Sequence, residues 1–249
     1  ATAASTPALW VATKDAAKVY LFGSMHFGRP DFYPLPEAVE QAFTQSTRLV
    51  VEVNLLQIGA NAQQTIFHHA GLPAGTNLKE VISPETYTAL EQWASNSQIP
   101  ASSFQRFQPW YITLMLVEAE IRKTDLQQQL GLDLYFLRRA VAVEKAIEDL
   151  ETFDSQLGLF SSISLKDQES FLRQTLTDLQ HSSNYLKSAA DAWIIGDTDM
   201  LDKNLVEPFR DQKETELLFD KMFTQRNIKM ARAATRYLEE GEDTFLVVG

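Results

Sequence analysis

Short apolar runs near both ends of the chain have the composition of β-strands, whereas the residues between them follow a helical period. Residues 8–13 and 18–23 are two such runs, and the polar segment 14–17 between them predicts a β-hairpin. Three further runs predict strands at 48–53, 145–151 and 244–249. The strand pattern therefore predicts one sheet built from both ends of the chain.

Apolar positions recur at helical spacing through most of the remaining chain. The helix predicted at 37–46 follows Pro36 and places Val39, Ala42 and Phe43 on one face. Further helices are predicted at 61–70, 84–97 and 109–117, after Gly131, and through most of 154–239. The segment 109–117 is apolar almost all round and is expected to be buried.

These elements predict an α/β (mixed α+β) fold with a central mixed β-sheet, flanking helices and a large helical insertion. We expect a single domain over residues 1–249, with a flexible tail at 1–7 and a mostly helical region at 55–240. The tail consists of small residues without an initiator methionine, as either removal of a signal peptide or an arbitrary boundary would leave it. We expect an exported protein whose signal peptide has been removed. No run is long and apolar enough to predict a transmembrane segment.

Charge and cysteine content narrow the classes of function. The formal net charge is −11, and a chain this acidic repels phosphate backbones, so nucleic acid is not expected as a partner. The chain has no cysteine, which excludes disulfides, thiolate metal sites and cysteine nucleophiles.

Two candidate site residues follow two of the predicted strands. His26 lies three residues after Gly23, and Glu52 is the one acid within the apolar run 48–53. A buried carboxylate needs a partner or a metal, and ligands bind at the carboxyl ends of strands in α/β proteins. His26 and Glu52 are therefore expected to face each other at one sheet edge. Arg226, on the last predicted helix, would neutralise Glu52 or bind a substrate carboxylate.

Other polar residues have simpler interpretations. Asp133 follows Gly131-Leu132 at a predicted helix start, where it would cap the helix or take part in chemistry. His68 and His69 are adjacent on a predicted helix and point about 100° apart, which favours a surface pair. Ser24 lacks the G-x-S-x-G context of a nucleophile elbow.

The same residues resemble the TraB/PrgY/GumN family, which includes the Tiki proteases. The resemblance begins with Leu9-Trp10, Gly23-Ser24-Met25-His26 and Val51-Glu52-Val53, and its middle block is residues 131–137 with 145–152. Trp193, Gly196-Asp197, Arg226-Asn227 and the strand ending at Gly249 match later blocks. The similarity follows the family order along the whole chain.

The resemblance implies a fold like that of erythromycin esterase and ChaN, and a bacterial homologue of the Tiki metalloproteases. Such a protein would be a divalent-metal-dependent peptidase that cleaves peptide bonds near the ends of peptides or proteins. The metal would be Mn²⁺ or Co²⁺, with Zn²⁺ also suited to the ligands. His26 would be the histidine of a first GxxH motif, and Glu52 a metal ligand or the general base.

The resemblance also implies a second GxxH motif beginning at Gly249, the last residue of the sequence. We expect the intact protein to continue through that histidine. Arg226 would hold substrate or the developing oxyanion.

Two other functions remain open at this stage. A protein of this fold could sequester a peptide or haem, with the helical region forming the groove. Alternatively, His26 could be the general base of a metal-independent esterase. Loss of cleavage on chelation would distinguish the peptidase from both.

Overall fold

The computed structural model describes residues 6–181, 185–210 and 216–249. Its sheet has five strands in these ranges: β1 (Leu9–Lys14), β2 (Ala17–Gly23), β3 (Arg48–Val51), β4 (Ala146–Asp149) and β5 (Thr244–Val248). The order across the sheet is β1-β2-β5-β3-β4. β1 and β2 form the predicted hairpin, and every other neighbouring pair is parallel. The predicted mixed α/β fold with a central mixed sheet is confirmed.

Helices make up most of the described chain outside the sheet. They are α1 (Glu37–Gln45), α2 (Ala62–Ala70), α3 (Leu78–Val81), α4 (Pro84–Asn96), α5 (Pro109–Ile121), α6 (Leu132–Ala142), α7 (Phe153–Ser161), α8 (Leu165–His181), α9 (Tyr185–Ile195), α10 (Thr198–Leu201), α11 (Glu207–Arg210), α12 (Glu216–Phe219) and α13 (Gln225–Glu240). None of them is long and apolar enough to cross a bilayer.

Side chains alternate between the two faces of the sheet, and helices cover both faces. Phe22, Val51 and Phe245 pack with Phe136 of α6 and Trp193 of α9 on one face. On the opposite face, neighbouring strand residues pack against Tyr237 of α13; these are Val19, Val50 and Leu246. Burial on both faces explains why β3 and β5 are continuous apolar runs rather than alternating ones.

A second core lies among the helices of the insertion. Leu90 and Trp93 of α4, Ile112 and Leu116 of α5 and Leu172 of α8 are buried together. α5 also contributes Trp110 to a small cluster with α2 and α7, so the prediction that residues 109–117 are buried is confirmed.

Glu169 of α8 joins this core to the start of α4. Its carboxylate accepts hydrogen bonds from the Ser83 backbone N–H at 2.8 Å and the Thr86 hydroxyl at 2.7 Å. Burial opposes ionisation of Glu169, but these hydrogen bonds outweigh it and lower the carboxyl pKa. The carboxylate therefore stabilises the fold above the ordinary pKa near 4.5, and that contribution is lost as pH falls through the lower folded pKa.

Replacing Glu169 with glutamine is expected to lower the free energy of unfolding by about 1–2 kcal/mol at pH 7, because two hydrogen bonds to a charged acceptor are weakened. The difference from wild type should shrink below pH 4.5. Urea unfolding of wild type and variant at pH 7 and below pH 4.5 measures this difference in the free energy of unfolding. Glu91→Gln, an exposed change on α4, is the control, and equal losses in the two variants would contradict the role given to Glu169.

Candidate active site

The four parallel strands end at the same edge of the sheet, and a polar or glycine residue follows each. Ser24 and His26 follow β2, Gly249 follows β5, and Glu52 follows β3. Glu151 lies two residues beyond β4. Its N–H donates to the Glu52 carbonyl at 2.8 Å, which continues the strand pairing past the strand ends. The carboxyl edge therefore brings together segments that are far apart in sequence.

His26 is held by a buried carboxylate on α6. Its Nδ1 lies 3.0 Å from Asp133 Oδ2, and the Ser24 hydroxyl donates to Asp133 Oδ1 at 3.1 Å. The Asp133 side chain is 4% exposed, whereas that of His26 is 57% exposed. A carboxylate can only accept, so Nδ1 carries a proton and Nε2 is the nitrogen that remains for a ligand.

The charge environment of His26 favours the imidazolium form. The hydrogen bond to Asp133 has the largest effect, and the negative charges of Asp133 and Glu52 add to it. Desolvation by the protein atoms around the half-exposed ring and the positive charge of Arg226 act in the opposite direction. The net result raises the pKa of His26 to about 9.

Two glycines allow the His26 loop to lie directly on the backbone before α6. A Cβ at Gly131 would overlap the carbonyl oxygen of His26, and one at Gly28 would overlap the carbonyl oxygen of Leu130. The Leu132 N–H donates to the Met25 carbonyl at 3.0 Å, and Gly28 exchanges backbone hydrogen bonds with Gln127. This close approach places Asp133 within reach of the histidine.

Glu52 lies in a second cluster, around Arg226. Arg226 Nη2 donates to Glu52 Oε2 at 2.7 Å and to Glu151 Oε2 at 2.9 Å, and its Nε donates to Glu151 Oε1 at 3.1 Å. The Gly249 N–H donates to Glu52 Oε1 at 2.9 Å. The side chains of Glu52, Glu151 and Arg226 are 6%, 9% and 17% exposed. Arg226 is thus shared between two buried carboxylates.

The pKa of Glu151 reflects this sharing. Burial raises it, but hydrogen bonds from Arg226 and from Gln156, whose Nε2 lies 3.0 Å away, outweigh burial and lower it. The charge of Lys229 acts in the same direction. Glu151 therefore remains ionised beside Glu52 at neutral pH.

Glu52 and Arg226 are in direct contact, as proposed for a neutralising arginine. His26 lies at the same edge as Glu52, but its hydrogen-bond partner is Asp133, and it interacts with Glu52 through charge. The two clusters meet at the end of β5, where the Ser24 N–H donates to the Val248 carbonyl at 2.8 Å.

Sequence reasoning left Asp133 open between a helix cap and a chemical role, and it did not name Glu151 or Gln156 as site residues. Asp133 does lie in the first turn of α6, but its side chain binds Ser24 and His26 and makes no capping bond. The family block at residues 131–137 was the available signal for it. No feature of the sequence marks Gln156 as a site residue, because its contact with Glu151 depends on how α7 packs against the sheet.

The interpretation of His68 and His69 as a surface pair is wrong for His69. Its ring is 14% exposed and lies between Asp154, at 2.9 Å, and the Ser161 hydroxyl, at 3.2 Å. His69 therefore links α2 to α7, whereas His68 is exposed.

The fold and site define a mixed α/β protein with a histidine–carboxylate cluster at the carboxyl edge of its sheet. The profile of the TraB/PrgY/gumN family matches residues 8–249, and the chain belongs to that family. It is 26% identical over 222 residues to "Uncharacterized protein YbaP" of Escherichia coli (strain K12), which covers 89% of this chain and 79% of that protein.

A second similarity is to "Metalloprotease TIKI1" of Danio rerio. The identity is 25% over 195 residues, covering 68% of this chain and 38% of that protein. No solved structure gives a significant match. The family membership, together with this distant similarity, supports a relation to metal-dependent peptidases at the level of the family.

Proposed function

We propose that the chain is a divalent-metal-dependent peptidase whose site lies at the carboxyl edge of the sheet, with His26 and Glu52 as metal-site residues and Arg226 beside them. The observation that carries the proposal is the orientation of His26. Metal-ligating histidines usually donate their second ring N–H to a carboxylate, and Asp133 accepts from Nδ1 in this way. The substrate would be a peptide or protein, cleaved near its end.

The residues at this edge fit a metal site in part. The half-exposed His26 ring leaves Nε2 accessible. Glu52 supplies a carboxylate close enough for its charge to act on His26. Imidazole and carboxylate without thiolate suit Mn²⁺, Co²⁺ or Zn²⁺. Within the described ranges, however, no three histidine, aspartate or glutamate side chains come together as a metal-binding group.

The predicted second GxxH motif would supply a further ligand. Gly249 is held at the site, because its N–H donates to Glu52 and a Cβ on it would lie 3.3 Å from the Ser24 carbonyl oxygen. A histidine three residues after Gly249 would therefore start from a point between the two clusters. That histidine stays a prediction, as does export of the protein.

A divalent cation, when bound, supplies Lewis-acid activation of water for amide hydrolysis. The residues of the chain orient the ligands, accept a proton and bind the substrate. Asp133 orients the His26 ring and fixes which nitrogen faces the site. Glu52 can accept a proton if one of its oxygens is released by Arg226, and the freed guanidinium can then bind a carbonyl oxygen or a terminal carboxylate of the substrate.

Protonation of His26 bears equally on a metal site and on a metal-independent esterase. With a pKa of about 9 the ring is mostly protonated at pH 7, and this proton must leave Nε2 before Nε2 can bind a metal or act as a general base. The esterase and a peptide- or haem-sequestering protein are therefore the two alternatives: cleavage that persists in chelator would favour the esterase, and absence of cleavage would favour the sequestering protein.

Calorimetric titration with Mn²⁺ and Co²⁺ tests the proposal. We expect His26→Ala to abolish binding and Asp133→Asn to weaken it by roughly 10- to 100-fold, because loss of an outer-shell partner has effects of that size. His68→Ala, an exposed histidine change, is the control. A version extended through the predicted second GxxH motif should bind more tightly than residues 1–249. Equal metal affinities in wild type and His26→Ala would contradict the proposal.

Glu52→Gln distinguishes a ligand from a base. If Glu52 is the general base, the variant keeps metal affinity and loses peptide cleavage, whereas a ligand role predicts loss of both. Cleavage is measured by mass spectrometry on a peptide mixture, with and without chelator. Cleavage that persists in chelator would contradict the metal-dependent mechanism.

A further inference from the structure

A cationic groove of about 410 Å³ opens beside the candidate active site, between the end of β4 and α13. Asp149 and Leu150 form one wall. The other wall is a flank of α13, with Lys229, Arg232, Ala233 and Arg236. Three cations and one carboxylate line this groove, in a chain whose overall net charge is −11.

Two of the cations make no direct side-chain contact with a carboxylate in the described part of the chain, although the charge of Lys229 acts on Glu151 from a distance. Lys229 and Arg232 are exposed, and no side-chain hydrogen bond or ion pair involves either of them there. Arg236, by contrast, lies 3.5 Å from Glu240 and over the Tyr237 ring. Lys229 and Arg232 are thus available to an anionic ligand at little cost in existing contacts.

The groove continues directly from the active-site cluster along both walls. Glu151, which pairs with Arg226, follows Leu150 on the first wall. On the second wall, Lys229 lies about one helical turn after Arg226, and Arg236 about two turns further. A ligand chain leaving Glu52 and Arg226 would therefore pass between these two walls.

We propose that this groove binds an acidic segment of the peptide substrate, with Lys229 and Arg232 pairing with its carboxylates. The proposal rests on the proposed peptidase function for the identity of the ligand as a peptide. Lys229 and Arg236 are separated by roughly 10 Å along the helix axis, a span that about three extended residues cover. The groove would set a preference for acidic residues on one side of the cleaved bond.

The acidic net charge of the protein does not oppose this binding at physiological salt. The Debye length is about 8 Å at 0.15 M, so a bound carboxylate interacts mainly with the groove cations and little with distant acids. The same screening predicts that the preference weakens as salt is raised. Asp149 is the one acid that lines the groove. It would repel a substrate carboxylate placed near β4, so the substrate carboxylates are expected to lie along α13.

Fluorescence anisotropy with a labelled octapeptide of alternating alanine and glutamate tests the groove on the full chain in chelator, so that no cleavage is required. The matched neutral probe has glutamine in place of glutamate. We expect wild type to bind the acidic probe more tightly than the neutral one, and Lys229→Gln/Arg232→Gln to lower acidic-probe affinity by about 5- to 20-fold, as for two surface ion pairs. Raising salt from 50 to 300 mM should reduce this gap.

Charge reversal gives a readout that a structural role would not produce. Lys229→Glu/Arg232→Glu should prefer an alternating alanine–lysine probe over the acidic one. The control pair Arg122→Gln/Lys166→Gln, which removes the same charge from exposed positions elsewhere, should bind like wild type. All four residues are exposed, and unchanged urea unfolding curves will show that the variants fold.

Equal affinity of wild type for the acidic and neutral probes would overturn the proposal that the groove binds acidic segments. Unchanged binding of the acidic probe by Lys229→Gln/Arg232→Gln would overturn it as well. Peptide cleavage without any charge preference would also overturn it while leaving the peptidase standing. Acidic-probe binding that depends on Lys229 and Arg232 would support the groove even if no metal-dependent cleavage is found, so the two proposals fail separately.

Discussion

Arg226→Met should lower the free energy of unfolding by about 3–5 kcal/mol at pH 7.5, because removing one partner of a buried ion pair leaves an uncompensated charge. Here two carboxylates lose their partner, those of Glu52 and Glu151, which are 6% and 9% exposed. Methionine keeps the apolar stem of the arginine side chain and lacks the guanidinium, so most of the loss reports on the charge and its hydrogen bonds.

The pH dependence of Arg226→Met separates this explanation from a packing defect. In wild type the pKa of Glu151 is lowered, so its contribution to stability is present above the ordinary pKa near 4.5 and is lost as pH falls through the folded value. Without Arg226 the Glu151 carboxylate loses its main hydrogen-bond donor and can escape its desolvation by protonation. The stability difference between variant and wild type should therefore shrink as pH falls from 7.5 to 4.5.

Urea unfolding at several pH values measures both effects. Arg226→Lys keeps the charge but not the two-sided guanidinium contacts and should lie between wild type and Arg226→Met. Arg232→Met, on an exposed face of the same helix, should stay within about 0.5 kcal/mol of wild type. A loss in Arg226→Met no larger than that in Arg232→Met would contradict the shared-arginine interpretation.

Gly131→Ala is expected to cost about 2–3 kcal/mol, because its new methyl group would overlap the backbone carbonyl of His26. The backbone at Gly131 has φ −61° and ψ 142°, which any residue adopts, so the penalty is steric and owes nothing to conformational strain. The loop carrying His26 must move to accommodate the methyl group. That movement should also lengthen the His26–Asp133 hydrogen bond and weaken metal binding.

Urea unfolding and metal titration together check this prediction. Gly59→Ala is a matched control, since no atom lies within 4 Å of the position of its added methyl group. It should remain within about 0.5 kcal/mol of wild type. If Gly131→Ala retains both wild-type stability and wild-type metal affinity, the loop does not depend on this close approach.

The local elements of the fold were readable from the sequence, but their arrangement was not. The hairpin before Gly23 and the strand after Gly241 follow from residue type and turn chemistry. Their pairing does not, because a run such as 244–248 carries no mark that it pairs with both β2 and β3. The placement of such a strand depends on contacts distant in sequence.

The candidate site was readable in the same partial way. Glu52 stood out as a single acid in an apolar run, and a buried acid needs a partner. Asp133 did not stand out, because an acid at the start of a helix is a common cap. Its contact with His26 exists only because Gly131 lets the β2 loop lie against the start of α6. Close approaches of this kind have no periodic signal.

The position of β5 has a consequence for synthesis on the ribosome. β5 lies between β2 and β3, so the sheet has no continuous centre until residues 244–248 arrive. Roughly 220 residues separate β2 from β5, and at 5–20 residues per second the delay is on the order of 10–45 s. During that interval the facing edges of β2 and β3 lack their partner. These two edges can pair with β5 only after residues 244–248 have left the ribosome, and unpaired strand edges of this kind are sites of aggregation.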